Sequence, residues 1–277
     1  MRLVEEQVLY EHTRVRTLYA PKGTFDFHWH CHEEYEISLI LEGRGTRFTA
    51  DQIAPFNPPE MIFVPARLPH TWQSSGGINH AVVVAQFRRD FTGADVRESP
   101  DLAAIHRLMA SGTAWKIAVS SSFIDDMLAL HEATGVKRLS LLLRLLDGIE
   151  RAPKSEAGSA VFAMPVGSVD RRMAKVLDMI QKHWGEPLLI PDLAAAVGMS
   201  ESSFRRYFRK STGRSAVDYI LQMKVARACE LLADSSLGIS NISELSGFGN
   251  LAYFNRKFKE LKRMTPSEYR WRHNCSA

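Results

Sequence analysis

The chain has 277 residues, 45% of them hydrophobic and 24% charged, the profile of a soluble globular protein long enough for two domains. No apolar run approaches the roughly 18–20 residues of a membrane helix. The acidic start MRLVEEQVLYEH is unlike a leader peptide, and Cys31, Cys229 and Cys275 are too few and too scattered for a disulfide framework, so a cytoplasmic protein with no membrane partner is expected.

In chain order, the first unusual stretch is HWHCHEEYE at residues 28–36, with three histidines and three glutamates in nine positions. Three readings stay open for it: a metal site, the floor of a ligand pocket, or a polar strand face without chemistry. Strand alternation puts His28, His30, His32, Glu34 and Glu36 on one face and Trp29, Tyr35, Ile37 and Leu39 on the other. YEISLILEG, TRFTA, EMIFVPA and HAVVVAQF are short β-type runs, separated by Glu42-Gly43-Arg44-Gly45, RLPH and SSGGIN. They predict an antiparallel sandwich or barrel over residues 1–100. Arg44, Arg47 and Trp72 are candidates for the mouth of the same pocket, with Arg44 and Arg47 equally readable as solvated turn residues.

Residues 101–151 change to a helical period. KRLSLLLRLLDGIERA carries Leu139, Leu142, Leu143, Leu145 and Leu146 on a wide stripe, to be covered by this chain or by a second copy in a homodimer. APKSEAGSAVFAMPVGS, residues 152–168, is the linker candidate, and Ser168 is placed to cap the helix after it. Residues 169–277 read as all-α, and charge gathers there: residues 168–277 hold 18 Lys+Arg against 11 Asp+Glu in a chain of net charge +4. Such asymmetry points to a polyanionic partner.

This half repeats itself. With Leu193 set on Ile242, Gly198 falls on Gly247. After one inserted residue, Phe204 meets Phe254, Arg206 meets Arg256, Phe208 meets Phe258 and Tyr219 meets Tyr269. Each unit is a short helix, a glycine turn and a basic second helix whose Phe pair at i and i+4 faces inward. Arg205, Arg206 and Arg209, or Asn255, Arg256 and Lys259, turn to the other side. That is the helix-turn-helix pattern, and Lys210, Lys257 and Lys259 flank it as phosphate neutralisers. VDYILQMKVARACELLA reads as one long joining helix, which would set the two units about one duplex turn apart, on the order of 34 Å.

Residues 170–273 resemble the DNA-binding domain of the AraC/XylS family of bacterial transcription regulators, through GMSESSFRRYFRKSTG, SGFGNLAYFNRKFK and TPSEYR. By this resemblance the base-facing positions are Ser202, Arg205 and Arg206, then Leu251, Ala252, Asn255 and Arg256. One departure is Arg263, where the family usually ends a helix with glycine. The spacing His30, His32, Glu36, Gly43, followed by His70, is similar to the motif of cupin barrels, which resemble the sensor domains of many AraC-type regulators. The resemblance implies that His30, His32, Glu36 and His70 could hold zinc, nickel, iron or manganese. In NPPEMIFVP, Pro59-Glu60 stands where Gly-Asp is usual.

The expected fold class is therefore α+β in two domains: a cupin-like antiparallel β-barrel with following helices, then an all-α domain with two helix-turn-helix motifs joined by a long helix. The expected function is a sequence-specific DNA-binding transcription regulator, an activator by the family resemblance and not an enzyme. Its barrel, including His30, His32, Glu36, Arg44, His70 and Trp72, would respond to a small-molecule effector such as a sugar. Double-stranded DNA and RNA polymerase are its expected macromolecular partners. Two alternatives remain: a metal-dependent cupin isomerase or dioxygenase with an accessory helical domain, and an architectural DNA binder with a degenerate barrel.

Overall fold

A computed structural model describes residues 4–6, 8, 13–26, 28–50, 52–75, 78–159, 171–183, 185–186, 188–212, 214–234 and 236–274. The first nine strands are β1 (Val4–Glu5), β2 (Val15–Ala20), β3 (His30–Cys31), β4 (Tyr35–Glu42), β5 (Gly45–Thr49), β6 (Gln52–Phe56), β7 (Glu60–Val64), β8 (His70–Ser74) and β9 (Ala81–Phe87). Then come α1 (Ala103–Ala110), β10 (Thr113–Ile117), α2 (Ser121–Glu132), α3 (Gly135–Arg151) and β11 (Lys154–Ser159). The C-terminal half holds α4 (Arg171–His183), α5 (Ile190–Ala196), α6 (Glu201–Thr212), α7 (Ala216–Asp234), α8 (Ile239–Leu245), α9 (Leu251–Lys262) and α10 (Pro266–Asn274).

Two sheets build the N-terminal half, one ordered β1-β3-β8-β5-β6 and the other β11-β10-β7-β4-β9-β2. Strand β4 is buried on both faces, and the two faces differ in character. Its odd residues Tyr35, Ile37 and Leu39 join the core under α1, α2 and α3, while Ile40 belongs to the core between the sheets. Glu36 and Ser38 are buried on that second face as well, where they line a cavity with Ile40.

Several expectations are corrected here. The barrel does not end near residue 100, because β10 and β11 extend the second sheet and the helices α1–α3 pack on that sheet's outer face. The proposed linker 152–168 begins with strand β11, which pairs antiparallel with β10. KSEAGS lacks a strand signature because it is an edge strand whose main apolar contribution is Ala157. Gly158 is needed there, since a Cβ would sit 2.6 Å from the Thr49 carbonyl oxygen. Residues 160–168, including the Ser168 cap, lie outside the described residues. The leucine stripe is spent within the chain: Leu141, Leu142, Leu145, Leu146 and Ile149 are buried in the core, with Leu139 and Leu143 packed against it.

The helical half repeats as its sequence does. Helices α5 and α6 form one unit, α8 and α9 the other, and their turns contain Gly198 (φ 67°) and Gly247 (φ 74°), a backbone region that favours glycine. Ser200 Oγ accepts the Ser203 amide (3.3 Å) and Asn250 Oδ1 the Tyr253 amide (2.9 Å), so each second helix starts on a polar cap. The edge-on pairs Phe208–Tyr219 and Phe258–Tyr269 bury equivalent aromatic contacts behind the two helices. Arg263 takes the left-handed conformation (φ 59°) and donates its amide to the Lys259 carbonyl at 2.9 Å, so the helix-ending turn forms without its glycine. Left-handed backbone costs an L-residue roughly 1–2 kcal/mol. Arg263→Gly is accordingly expected to raise stability by about 1 kcal/mol, read as a higher midpoint in urea with an unchanged slope. A lower midpoint would show that the Arg263 side chain contributes more than its backbone costs.

Candidate functional site

The pocket lies between the sheets. HWHCHEEYE is not one strand: β3 ends at Cys31, the chain bends at residues 33–34, and β4 begins at Tyr35 in the other sheet. His30 on the first sheet and Glu36 on the second line one cavity of about 210 Å³, together with Trp72. The bend corrects the single-face expectation, and Glu34 instead accepts from Arg88 Nε at 2.9 Å, away from the cavity. Arg44 is exposed in the β4–β5 corner and does not line the cavity, and buried Arg47 bonds Glu60 instead.

His30 and His70 are opposite one another on β3 and β8, and one nitrogen each from His30, His32 and His70 lies within 4.8 Å of the others. Each ring has its Nδ1 at a backbone carbonyl: His30 at His28 (2.8 Å), His32 at Glu34 (3.0 Å) and His70 at Leu68 (2.7 Å). With Nδ1 so engaged, Nε2 of His30 and of His70 is left for a ligand, whereas His32 Nε2 already meets the Glu36 carboxylate. His70 Nε2 is buried and has no hydrogen-bond partner among the described residues. Glu36 Oε2 is 3.0 Å from His32 Nε2 and 3.8 Å from His70 Nε2. Burial and neighbouring His70 push the His30 imidazole down to about 3, leaving it neutral. Burial opposes charge at His32 and Glu36 too. There their mutual contact prevails, raising His32 and, with His70, holding Glu36 well below the usual carboxylate range. Three oriented imidazoles, an orphaned Nε2 and an ionised carboxylate fit a divalent transition metal.

A polar row crosses the second sheet beside this group. Arg16 Nη1 donates to Gln86 Oε1 (3.1 Å), Gln86 Nε2 to Glu36 Oε2 (3.0 Å) and Ser38 Oγ to Glu36 Oε1 (2.5 Å). Arg16, Ser38 and Gln86 all line the cavity, as do the apolar Phe25, Ile40 and Val84. Buried Trp72 brings a second group without a partner among the described residues, its Nε1–H. Sequence reasoning missed the polar row, although Ser38 and Gln86 are the polar interruptions inside YEISLILEG and HAVVVAQF and so carried a signal.

In the helical half, Ser202, Arg205, Arg206, Arg209 and Lys210 are exposed on α6, and Leu251, Ala252, Asn255, Arg256 and Lys259 on α9. Lys257 is half-buried and pairs with Glu260 at 2.9 Å. Arg205 is held by Glu201 one turn back, its Nε donating at 3.0 Å, and Arg256 lies over the Tyr253 ring at 5.5 Å. The joining helix α7 has 19 residues, hence a length of about 28 Å at 1.5 Å per residue. Lys224 on α7 donates to the Gly247 carbonyl (2.6 Å), tying that helix to the second turn. Buried Cys229, its thiol pushed up to about 11 by desolvation, is a packing residue of α7 rather than a reactive one. No described helix is long and apolar enough to cross a membrane.

A pocketed β domain joined to two helix-turn-helix units defines a sensor-and-reader class of protein. Residues 14–157 match the AraC-like ligand binding domain and residues 193–272 a helix-turn-helix domain. The chain belongs to the AraC family, a family of regulators rather than enzymes, which removes the metal-dependent isomerase or dioxygenase alternative. Over 147 residues it is 29% identical to the xylose operon regulatory protein of Escherichia coli K12. That stretch is 49% of this chain and 36% of the relative, so the chain spans little more than a third of that protein. It is 21% identical over 261 residues to the HTH-type transcriptional activator RhaR of Mannheimia succiniciproducens, covering 89% of this chain and 88% of that one. Among solved structures, the DNA-binding domain of AdpA in complex with a target DNA is 25% identical. It covers 38% of this chain and 95% of that one, with a TM-score of 0.37.

Proposed function

We propose that the protein is a cytoplasmic transcription regulator, an activator, that binds duplex DNA through α6 and α9 and responds to a small molecule held in the barrel. The observation that carries this reading is one chain presenting two exposed basic helices on equivalent scaffolds and, apart from them, a cavity lined by His30, Glu36 and Trp72, the last with an Nε1–H that has no partner among the described residues. Base contacts would come from Ser202, Arg205, Arg206, Leu251, Ala252, Asn255 and Arg256, and phosphate contacts from Arg209, Lys210, Lys257 and Lys259. RNA polymerase and a second copy of the chain are the further partners of this reading. Because α3 buries its leucines internally, a homodimer would have to meet on another surface, such as the exposed Lys137, Ser140 and Arg144.

A sugar is the effector class put first, since the matched relatives include a xylose operon regulator and RhaR, and the polar row Arg16, Gln86 and Glu36 can bond hydroxyls while Trp72 offers a ring. His30, His32, Glu36 and His70 would hold the metal, a zinc, nickel, iron or manganese ion, which when bound supplies a positive centre for an effector oxygen.

The test selects a duplex from a random-sequence pool, then measures its affinity for the chain against a panel of pentoses and hexoses, alongside metal analysis of the purified protein. His30→Ala with His70→Ala is expected to keep duplex affinity while abolishing both bound metal and the sugar-dependent shift. Full sugar response in that variant would remove the pocket assignment.

A further inference from the structure

The barrel is built into the helical half through a continuous seam. Around β3 the side chains alternate in what they serve. His28 and His30 line the cavity, whereas Trp29 is buried in the core of the first helix-turn-helix unit and Cys31 packs against that core. Phe48 of β5 and Ile53 of β6 enter the same core, together with Val176, Ile180, Phe204 and Met223. Strand β6 lies along α7.

One carboxylate closes the seam. Glu230 on α7 is 8% exposed. It accepts the Thr46 hydroxyl on one oxygen, and on the other the Ser75 hydroxyl (2.7 Å) and Arg227 Nη1 (2.9 Å). A carboxylate this buried must be bonded: Arg227 on the same helix offsets its charge, and the other two donors belong to the barrel, so barrel and helix have one register in which all three bonds form. Thr46 stands opposite Gln73 on β8, beside the cavity residue Trp72. Helix α7 in turn packs against α6 and α9. Whatever fixes α7 fixes how the two basic faces are presented, and both faces stay exposed with the barrel docked.

We propose that this seam is a regulatory brace: Glu230 is a positioning residue that locks the joining helix to the barrel and pre-organises the paired readers for DNA, and cavity contents act on DNA affinity through β3 and β8. The proposal rests on the regulator reading and specifies its coupling. Pre-organisation tightens binding by removing ordering costs from the bound state. Coupling between sites of this kind typically amounts to 5–150-fold in affinity, roughly.

The experiment compares wild type, Glu230→Ala, the barrel-side pair Thr46→Val with Ser75→Ala, and all three substitutions together, titrated on one duplex that the full chain has selected from a random pool. Glu230→Ala and the barrel-side pair are each expected to weaken binding about fivefold or more. The combined variant should be no weaker than Glu230→Ala alone, because both changes remove one contact. The slope of affinity against salt should not change, since no phosphate contact is touched. Thermal unfolding checks that every barrel is folded, and the barrel-side pair leaves the helical half unaltered in sequence. Wild-type affinity in the folded barrel-side pair overturns the brace while leaving the regulator reading intact. So do losses that multiply in the combined variant. Failure of the wild type to select any duplex overturns both.

Discussion

Replacing Arg206 and Arg256 together with alanine is expected to weaken binding to a selected duplex by about 2–6 kcal/mol, from roughly thirtyfold to the level of non-specific binding. The two residues occupy equivalent places on α6 and α9, each exposed midway along a buried aromatic pair that fixes its helix: Phe204 and Phe208 behind Arg206, Phe254 and Phe258 behind Arg256. A bidentate arginine–guanine contact is worth about 1–3 kcal/mol of discrimination, and contacts on separate readers add. Neither substitution removes core packing, so folded stability should stay within about 0.5 kcal/mol of wild type. Arg205 is the weaker candidate of its pair, because the Glu201 carboxylate already holds its guanidinium and must be displaced first. Lys210→Ala and Lys259→Ala should behave differently again. Each should reduce affinity for all sequences alike and flatten the salt dependence by about one counterion, because a phosphate contact carries no sequence information. Anisotropy titrations across a salt series separate the two signatures. Equal binding by wild type and the double arginine variant at every salt concentration would remove α6 and α9 as readers.

How much of this was open to sequence reasoning follows from where each contact lies along the chain. The helical half was legible because its determinants are local. Phe pairs four residues apart, a glycine at the turn and a polar cap each act within one or two helical turns, and their repetition at a near-constant offset excludes coincidence. Strands β4, β7 and β9 were legible from apolar runs with Gly and Pro punctuation. Strand β11 was not: KSEAGS contributes sheet hydrogen bonds and one buried alanine, and it pairs with β10, some forty residues earlier, across α2 and α3. Periodicity recorded the α3 leucines correctly as a stripe but could not name their cover, which is the outer face of the second sheet. At the pocket, the spacing of His30, His32, Glu36 and His70 picked out residues that the fold brings together, though for a partly mistaken reason. They converge because the chain bends from one sheet to the other, not because one strand presents them all. Arg16 and Gln86 reach the site only through the register of β2 and β9 on β4. Glu230 and Thr46 are 184 residues apart, and no pattern in either segment announces the other.

The largest expected stability effect belongs to the residue that departs from the cupin pattern. Glu60→Gln should destabilise the barrel by about 3–5 kcal/mol, the range for removing one partner of a buried ion pair. Glu60 is fully buried on β7 and Arg47 on β5 is 4% exposed; the Glu60 carboxylate accepts from Arg47 Nη1 and, at 2.5 Å, from Lys116 Nζ of β10. Glutamine keeps the shape and one acceptor but removes the charge, so Arg47, whose Nε already has no partner among the described residues, is left as an uncompensated buried cation. Against a typical total of about 5–15 kcal/mol, that is roughly a fifth of the stability or more. For a unit of this size it amounts to a melting temperature lower by roughly 6–20 °C. Lys116 is the minor partner, with its side chain 40% exposed, and Lys116→Ala should cost less than about 1 kcal/mol. The interpretation requires the loss to come from an orphaned charge rather than a missing attraction. Pairing Glu60→Leu with Arg47→Met, which removes both charges and keeps apolar volume, should therefore recover most of what Glu60→Gln loses. Urea unfolding followed by circular dichroism decides the matter. A Glu60→Gln midpoint at the wild-type value, or a double variant weaker than Glu60→Gln alone, would show that this charge cluster does not hold the sheets together.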